Sequence, residues 1–102
     1  MSAISTNIYV NILAIEEARA FAVWPNPASA SIRISFPSRF AENVKLEIND
    51  LLGRSVYSKS NYSNSEAIDI RGLNQGTYLI RLTSNMDERA IHMMKFLKVV
   101  ND

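Results

Sequence analysis

The sequence predicts an all-β protein, an antiparallel β-sandwich of about seven strands. Three observations support this prediction. Several short runs alternate between apolar and polar residues, as strands do when one face is buried and the other is exposed to solvent. Turn-forming residues (Gly, Pro, Asn and Asp) separate these runs, and no capped helical pattern interrupts the series after Pro27. The chain has 102 residues and 47% hydrophobic content, enough for one small domain with a single core.

The first 20 residues fit more than one kind of structure. Residues 8–12 alternate weakly and are compatible with a strand, whereas residues 13–22 contain four alanines with Glu16 and Glu17 and fit a helical turn or a linker. We therefore expect two regions: a linker or the tail of a preceding region over residues 1–20, and a folded domain over residues 21–102.

The strands are expected in order along residues 31–100. Residues 31–36 and 44–48 alternate strictly, which places every second side chain on the buried face. Weaker repeats follow around Val56, at Ile68 and Ile70, and at Tyr78, Ile80 and Leu82. Residues 90–100 are nearly continuously apolar. Their spacing alone also allows a helix, but the turn-like residues 84–87 before them favour a closing strand.

A stiff proline segment precedes the first clear strand. In Trp24-Pro25-Asn26-Pro27 each proline fixes its own φ and pushes the residue before it toward an extended conformation. Neither proline can donate a ladder hydrogen bond, so the segment cannot become a central strand. We expect it to start the domain at a defined angle.

Two further turns are expected from glycine positions. Asp50 can accept hydrogen bonds from the amides that follow it, and Gly53, just before Arg54, can adopt positive φ, so residues 49–54 are expected to form a hairpin turn. In residues 73–78, Gly76 can turn the chain while Leu73 and Tyr78 both reach the core. This arrangement is similar to the tyrosine corner of immunoglobulin-like sandwiches, in which the tyrosine hydroxyl bonds to upstream backbone.

Composition excludes several classes of function. The formal net charge is +1, with no concentrated basic face of the kind that binds nucleic acid. The chain has no cysteine and a single histidine, His92, so we expect no metal site and no cofactor. Its carboxylates are interspersed with strand and turn positions as solvated side chains usually are, and we expect no enzymatic activity; they include Glu42, Glu47, Asp50, Glu66 and Asp69.

The order of these motifs resembles the C-terminal sorting domain of proteins exported by the type IX (Por) secretion system of Bacteroidetes. The resemblance covers residues 21–100 and rests on four marks: Pro25-Asn26-Pro27; Asp50, Gly53 and Arg54; Leu73, Gly76 and Tyr78; and Lys95, Phe96 and Lys98. Trp24 stands where the family commonly has tyrosine. The resemblance implies that the export machinery recognises the last strand with its basic residues, so Lys95, Phe96 and Lys98 are the expected recognition residues.

The resemblance also implies what the domain does. It would direct a cargo protein, N-terminal in the precursor, across the periplasm and through the outer-membrane translocon to the cell surface or the medium. A sortase-like peptidase would then remove the domain by cutting within about residues 15–22. An exposed apolar strand on a small sandwich also permits exchange between copies, so a dimer through the N-terminal segment or the edge strands is a further expectation.

An accessory domain that binds carbohydrate or supports a neighbouring catalytic domain is the alternative interpretation. Sugar-binding sandwiches expose coplanar aromatic side chains. The available aromatics are Trp24, Tyr57 and Tyr62, which lie on separate predicted elements.

Overall fold

The computed structural model describes residues 20–100, which form seven strands in two antiparallel sheets. The strands are β1 (Ala22–Trp24), β2 (Ser31–Ser35), β3 (Asn43–Asn49), β4 (Ser55–Ser63), β5 (Ala67–Asp69), β6 (Gly76–Ser84) and β7 (Ile91–Lys98). The predicted all-β sandwich is confirmed. So is the closing strand expected within residues 90–100.

The strand order explains how the chain closes into two layers. One sheet has the order β1-β2-β5, and the other has the order β4-β3-β6-β7. Between them the chain crosses from β2 to β3, returns from β4 to β5, and crosses again from β5 to β6. The last strand therefore lies at an edge of the larger sheet, paired with β6 on one side.

The core forms because the alternating strands send their apolar residues between the sheets. Ile32 and Ile34 of the small sheet face Leu46 and Ile48 of the large one, and all four side chains are fully buried. Alternate residues on the same strands, such as Arg33, remain exposed. Burying each such aliphatic side chain stabilises the fold by roughly 1.5–3 kcal/mol, which makes this face the main source of stability.

A buried tyrosine joins the two sheets by hydrogen bonds. Tyr62 of β4 has no exposed surface, and its hydroxyl accepts a hydrogen bond from the backbone N–H of Ile34 in β2 at 2.9 Å. The same hydroxyl donates to the carbonyl oxygen of Glu66. Burial raises the pKa of Tyr62 above its ordinary value of 10.0, because the charged phenolate would lose its hydration.

An aromatic cluster holds the first described residues against the large sheet. The Phe21 ring stacks on the His92 imidazole with centroids 3.7 Å apart and meets the edge of Phe40 at 5.0 Å. The carbonyl oxygen of Ala20 accepts a hydrogen bond from the Ser35 hydroxyl. The domain is thus anchored from residue 20 onward, next to the beginning of β7.

The remaining expectations for the N-terminal stretch fall outside the described residues. These are the weak strand pattern of residues 8–12 and the helical turn or linker of residues 13–22, of which residues 20–22 alone are described. Within residues 20–100, no helix is long and apolar enough to span a bilayer.

Candidate functional site

Three of the four sequence motifs, and the end of the fourth, meet at one end of the sandwich. Gly76 at the start of β6 pairs with Lys98 at the end of β7. Asn49 at the end of β3 pairs with Leu79 of β6, so the turn after β3 lies at this same end. The turn after β3 and the turn before β6 therefore lie at the same end of the large sheet as the last residues of β7.

The Pro-Asn-Pro segment docks on the outer edge of β7. The side-chain oxygen of Asn26 accepts a hydrogen bond from the backbone N–H of Leu97 at 2.9 Å. Ala28 then donates its N–H to the Leu97 carbonyl at 2.9 Å and accepts one from the Val99 N–H at 2.8 Å. Because proline cannot donate, Asn26 and Ala28 supply these contacts. The segment covers the last part of the edge, from Leu97 onward.

The turn between β3 and β4 is held by Asp50. One carboxylate oxygen of Asp50 accepts hydrogen bonds from the N–H groups of Leu52 and Arg54, both at 2.9 Å. The other accepts from Arg54 Nε at 2.7 Å. These hydrogen bonds, first of all the one from the Arg54 backbone, lower the pKa of Asp50 below its usual value. Gly53 has a φ of +84°, as the predicted hairpin turn requires.

Tyr78 forms the hydrogen bond that is typical of a tyrosine corner. Its hydroxyl donates to the carbonyl oxygen of Asn74 at 2.6 Å, and its ring stacks on Phe96 of β7 with centroids 5.5 Å apart. The Lys98 ammonium donates to the carbonyl oxygen of Leu73 at 2.9 Å. The 73–78 turn and the end of β7 are thus fastened together by side chains from both.

The three expected recognition residues lie on opposite faces of β7. Lys95 is exposed, whereas Phe96 and Lys98 are 1% and 4% exposed. A strand alternates its side chains, so the even-numbered residues face the core and the odd-numbered ones face solvent. The exposed face carries Lys95 together with three apolar side chains, Ile91, Met93 and Leu97.

The backbone of β7 shows which of its hydrogen-bonding groups face outward. Both polar groups of Leu97 bond to residues outside the sheet, Asn26 and Ala28. In an antiparallel strand, alternate residues direct both groups to the same side, and β7 pairs with β6 without a register shift from Ile91 to Lys98. The N–H and C=O groups of Ile91, Met93 and Lys95 therefore also point outward. Within residues 20–100 they have no hydrogen-bond partner, and we call this stretch the free edge of β7.

The aromatic residues considered for sugar binding do not share a surface. Tyr62 is fully buried, and Trp24 belongs to the small sheet whereas Tyr57 belongs to the large one. His92 stacks on Phe21, and burial lowers its pKa below 6.5. Among residues 20–100, no three acidic, histidine or cysteine side chains are grouped as metal ligands would be.

Sequence reasoning missed Ile91 and Met93 as surface residues of the last strand. The continuous apolar composition of residues 90–100 hid the alternation. The signal was nevertheless present, because placing Phe96 in the core puts residues 91, 93, 95 and 97 on the other face. The sequence also indicated Asn26 only as part of a stiff turn, and it did not predict the hydrogen bond between Asn26 and Leu97.

The fold is that of a small β-sandwich domain with β7 at one edge of the larger sheet. The family model of the secretion system C-terminal sorting domain matches residues 22–95. The chain belongs to this family, and it is a C-terminal sorting signal for type IX secretion. Such a signal implies an N-terminal cargo and export to the cell surface or the medium.

A solved structure has the same fold at low sequence identity. It is PorZ of Porphyromonas gingivalis, described as an essential bacterial surface component of the type IX secretion system, with a TM-score of 0.61 and 16% identity. The match covers 81% of this chain and 12% of the PorZ chain, so the chain corresponds to a small part of that protein. No curated protein matches the sequence.

Proposed function

We propose that this domain carries its cargo through the outer-membrane translocon by presenting β7 to a component of the machinery. The family match over residues 22–95 carries the proposal. The position of β7 at a sheet edge supports it, because an edge strand can be contacted along both its backbone and its side chains. The domain acts in this scheme as a signal and not as a catalyst.

Lys95, Phe96 and Lys98 contribute to recognition in two ways. The exposed Lys95 contacts the partner directly. Phe96 and Lys98 hold β7 in position, through the stack on Tyr78 and the hydrogen bond to Leu73. This division follows from burial, since a side chain with almost no exposed surface can touch a partner only if the strand detaches.

Cleavage by a sortase-like peptidase would complete export. The expected cut lies within about residues 15–22. A peptidase binds its substrate in an extended form, and Ala20 and Phe21 are held against the domain. We therefore expect the cleaved peptide bond to lie N-terminal to Ala20. In this scheme residues 1–20 serve as the linker between cargo and domain.

A reporter assay tests the recognition proposal. The chain is fused behind a periplasmically exported reporter in a bacterium with a type IX system, and the surface-delivered fraction is measured. We expect Lys95→Glu to reduce delivery, because it reverses the charge of the contact residue. The matched control is Lys45→Glu, an exposed lysine on β3 of the same sheet, which should leave delivery unchanged.

Two outcomes would contradict the proposal. If the unaltered fusion stays in the periplasm, the chain is not a sufficient signal. If the fusion is delivered and Lys95→Glu is delivered equally well, the contact does not involve this side chain. Lys98→Met tests whether Lys98 has only a structural role. We expect its delivered fraction to fall only as far as the lower thermal midpoint, and hence the smaller folded fraction, of the variant accounts for.

A further inference from the structure

The free edge of β7 differs from the other strand edges of the described domain. In the small sheet, the edge strands β1 and β5 have three residues each, and short edge strands offer little to a partner. In the large sheet, β4 is long, but its pairing with β3 shifts register twice. Such irregularities protect an edge by bending it. β7 pairs regularly over eight residues and has neither protection.

The domain itself closes one part of the β7 edge and leaves another part open. Asn26 and Ala28 occupy the outward groups of Leu97. The outward N–H and C=O groups of Ile91, Met93 and Lys95 have no hydrogen-bond partner within residues 20–100. The unpaired backbone groups span five residues, Ile91 to Lys95, and this length suits one short strand. β1 of the small sheet also packs close to β7 but forms no backbone hydrogen bond with it.

We propose that recognition occurs by strand addition, in which an extended segment of the export machinery pairs with the backbone of Ile91, Met93 and Lys95. This inference rests on the proposed function and specifies its mode of contact. The segment would carry apolar side chains beside Ile91 and Met93, which are 42% and 54% exposed. It would carry a carboxylate beside Lys95, in keeping with cross-strand pairing of opposite charges.

Charge complementarity favours this occupant over a second copy of the chain. Within residues 20–100, Lys95 takes part in no ion pair, and the residue that pairs with it on β6 is the aliphatic Leu79. β7 contains three basic or titratable residues, His92, Lys95 and Lys98, and no carboxylate. Two β7 strands paired with each other would therefore leave both Lys95 ammonium groups without a counter-charge.

A proline at position 93 tests the backbone contact without breaking the sheet. Met93→Pro removes an N–H that points away from β6, so the β6–β7 ladder keeps its hydrogen bonds. It deprives the incoming strand of a donor and obstructs its approach. Met93→Val is the matched control, because it retains the N–H and suits a strand. In the reporter assay we expect Met93→Pro to lower the delivered fraction by about tenfold, as loss of about 1.4 kcal/mol of binding would, and Met93→Val to deliver normally.

The outcomes separate failure of this inference from failure of the proposed function. If the unaltered fusion is not delivered, the function itself fails. If it is delivered and Met93→Pro is delivered equally well, strand addition is overturned while the sorting function stands. If Met93→Pro and Met93→Val lower the delivered fraction equally, the partner recognises the Met93 side chain and not the backbone, and strand addition is also overturned.

Two further measurements keep the test decisive. Thermal midpoints of the purified variants establish that they fold. Should Met93→Pro unfold, Lys95→Pro takes its place, with Lys95→Gln as the control that removes the charge and keeps the N–H. Sedimentation of the unaltered domain tests whether a second copy of the chain binds this edge. If the domain dimerises, the proline variant does not, and delivery of that variant is unaffected, the edge serves self-association and the proposal is overturned.

Discussion

At the scale of single residues, the hydroxyl of Tyr78 closes the turn that precedes β6. Tyr78 is 6% exposed, and its hydroxyl is 2.6 Å from the Asn74 carbonyl oxygen. Tyr78→Phe keeps the ring and its stack on Phe96 but leaves that carbonyl without its donor. We expect the free energy of unfolding to fall by about 1–2 kcal/mol, measured by urea denaturation.

Tyr57→Phe is the control for this substitution. Tyr57 is partly buried, and its hydroxyl makes no hydrogen bond to residues 20–100. Its loss should change the free energy of unfolding by less than about 0.5 kcal/mol. Equal effects of the two substitutions would show that the corner hydrogen bond contributes no special stability.

His92 should make the domain sensitive to mild acid. Burial lowers its pKa below 6.5, since the folded state favours the neutral imidazole against Phe21. A lowered histidine pKa contributes stability that is present above pH 6.5 and is lost as the pH falls through the folded value. The free energy of unfolding should therefore be lower at pH 5.5 than at pH 7.5.

A second variant isolates the histidine from the carboxylates. His92→Phe keeps a flat ring beside Phe21 and cannot titrate, so its stability should be nearly the same at both pH values. Asp50, Glu66 and Asp69 contribute little between pH 5.5 and pH 7.5, because their ordinary pKa values of 3.8, 4.5 and 3.8 already lie below this range. Hydrogen bonds lower these pKa values further in the folded state, that of Asp69 to about 2 through Arg71, so the stability they contribute is lost only at lower pH. An unchanged pH dependence in His92→Phe would contradict the assignment.

At the scale of elements, the β3–β4 turn depends on the backbone conformation of Gly53. Its φ of +84° lies in the left-handed region, and a Cβ there would meet no atom within 4 Å. Gly53→Ala should therefore cost only the backbone strain, about 1–2 kcal/mol. Gly72→Ala is the control, because its Cβ also meets nothing and its φ is ordinary. Chemical denaturation of both variants checks the difference, which should be absent if the turn can rearrange.

The same scale shows what sequence can predict and what it cannot. Strict alternation located β2 and β3, and the Asp50–Gly53 pattern located the turn, because both depend on nearby residues. The contact of Asn26 with Leu97 spans 71 residues and exists only once the sheets have closed. The burial of Lys98 was also hidden, since a lysine is expected in solvent unless a carbonyl such as that of Leu73 lies within reach.

At the scale of the whole molecule, the three-stranded and four-stranded sheets are held together by apolar packing and by the hydroxyl of Tyr62. This group lay outside any sequence prediction of the core, because irregular pairing in β4 interrupts its alternation. In the folded domain the hydroxyl satisfies the buried N–H of Ile34 at 2.9 Å. A buried donor without a partner costs more than an ordinary hydrogen bond contributes. The tyrosine therefore couples the stability of one sheet to the other.

Tyr62→Phe tests this coupling. The substitution leaves the ring in the core and the Ile34 N–H without an acceptor, so the free energy of unfolding should fall by about 1–3 kcal/mol. Because Ile34 belongs to the small sheet, amide hydrogen exchange should accelerate in β2 and β5 more than in the centre of the large sheet. The raised pKa of Tyr62 gives an independent sign: its contribution is present below pH 10.0 and is lost as the pH rises through the folded value. The variant should accordingly lose less stability than the unaltered domain between pH 9 and pH 11. Uniform acceleration of exchange across both sheets would show instead that the hydroxyl supports the core as a whole, and that the small sheet is not held separately through it.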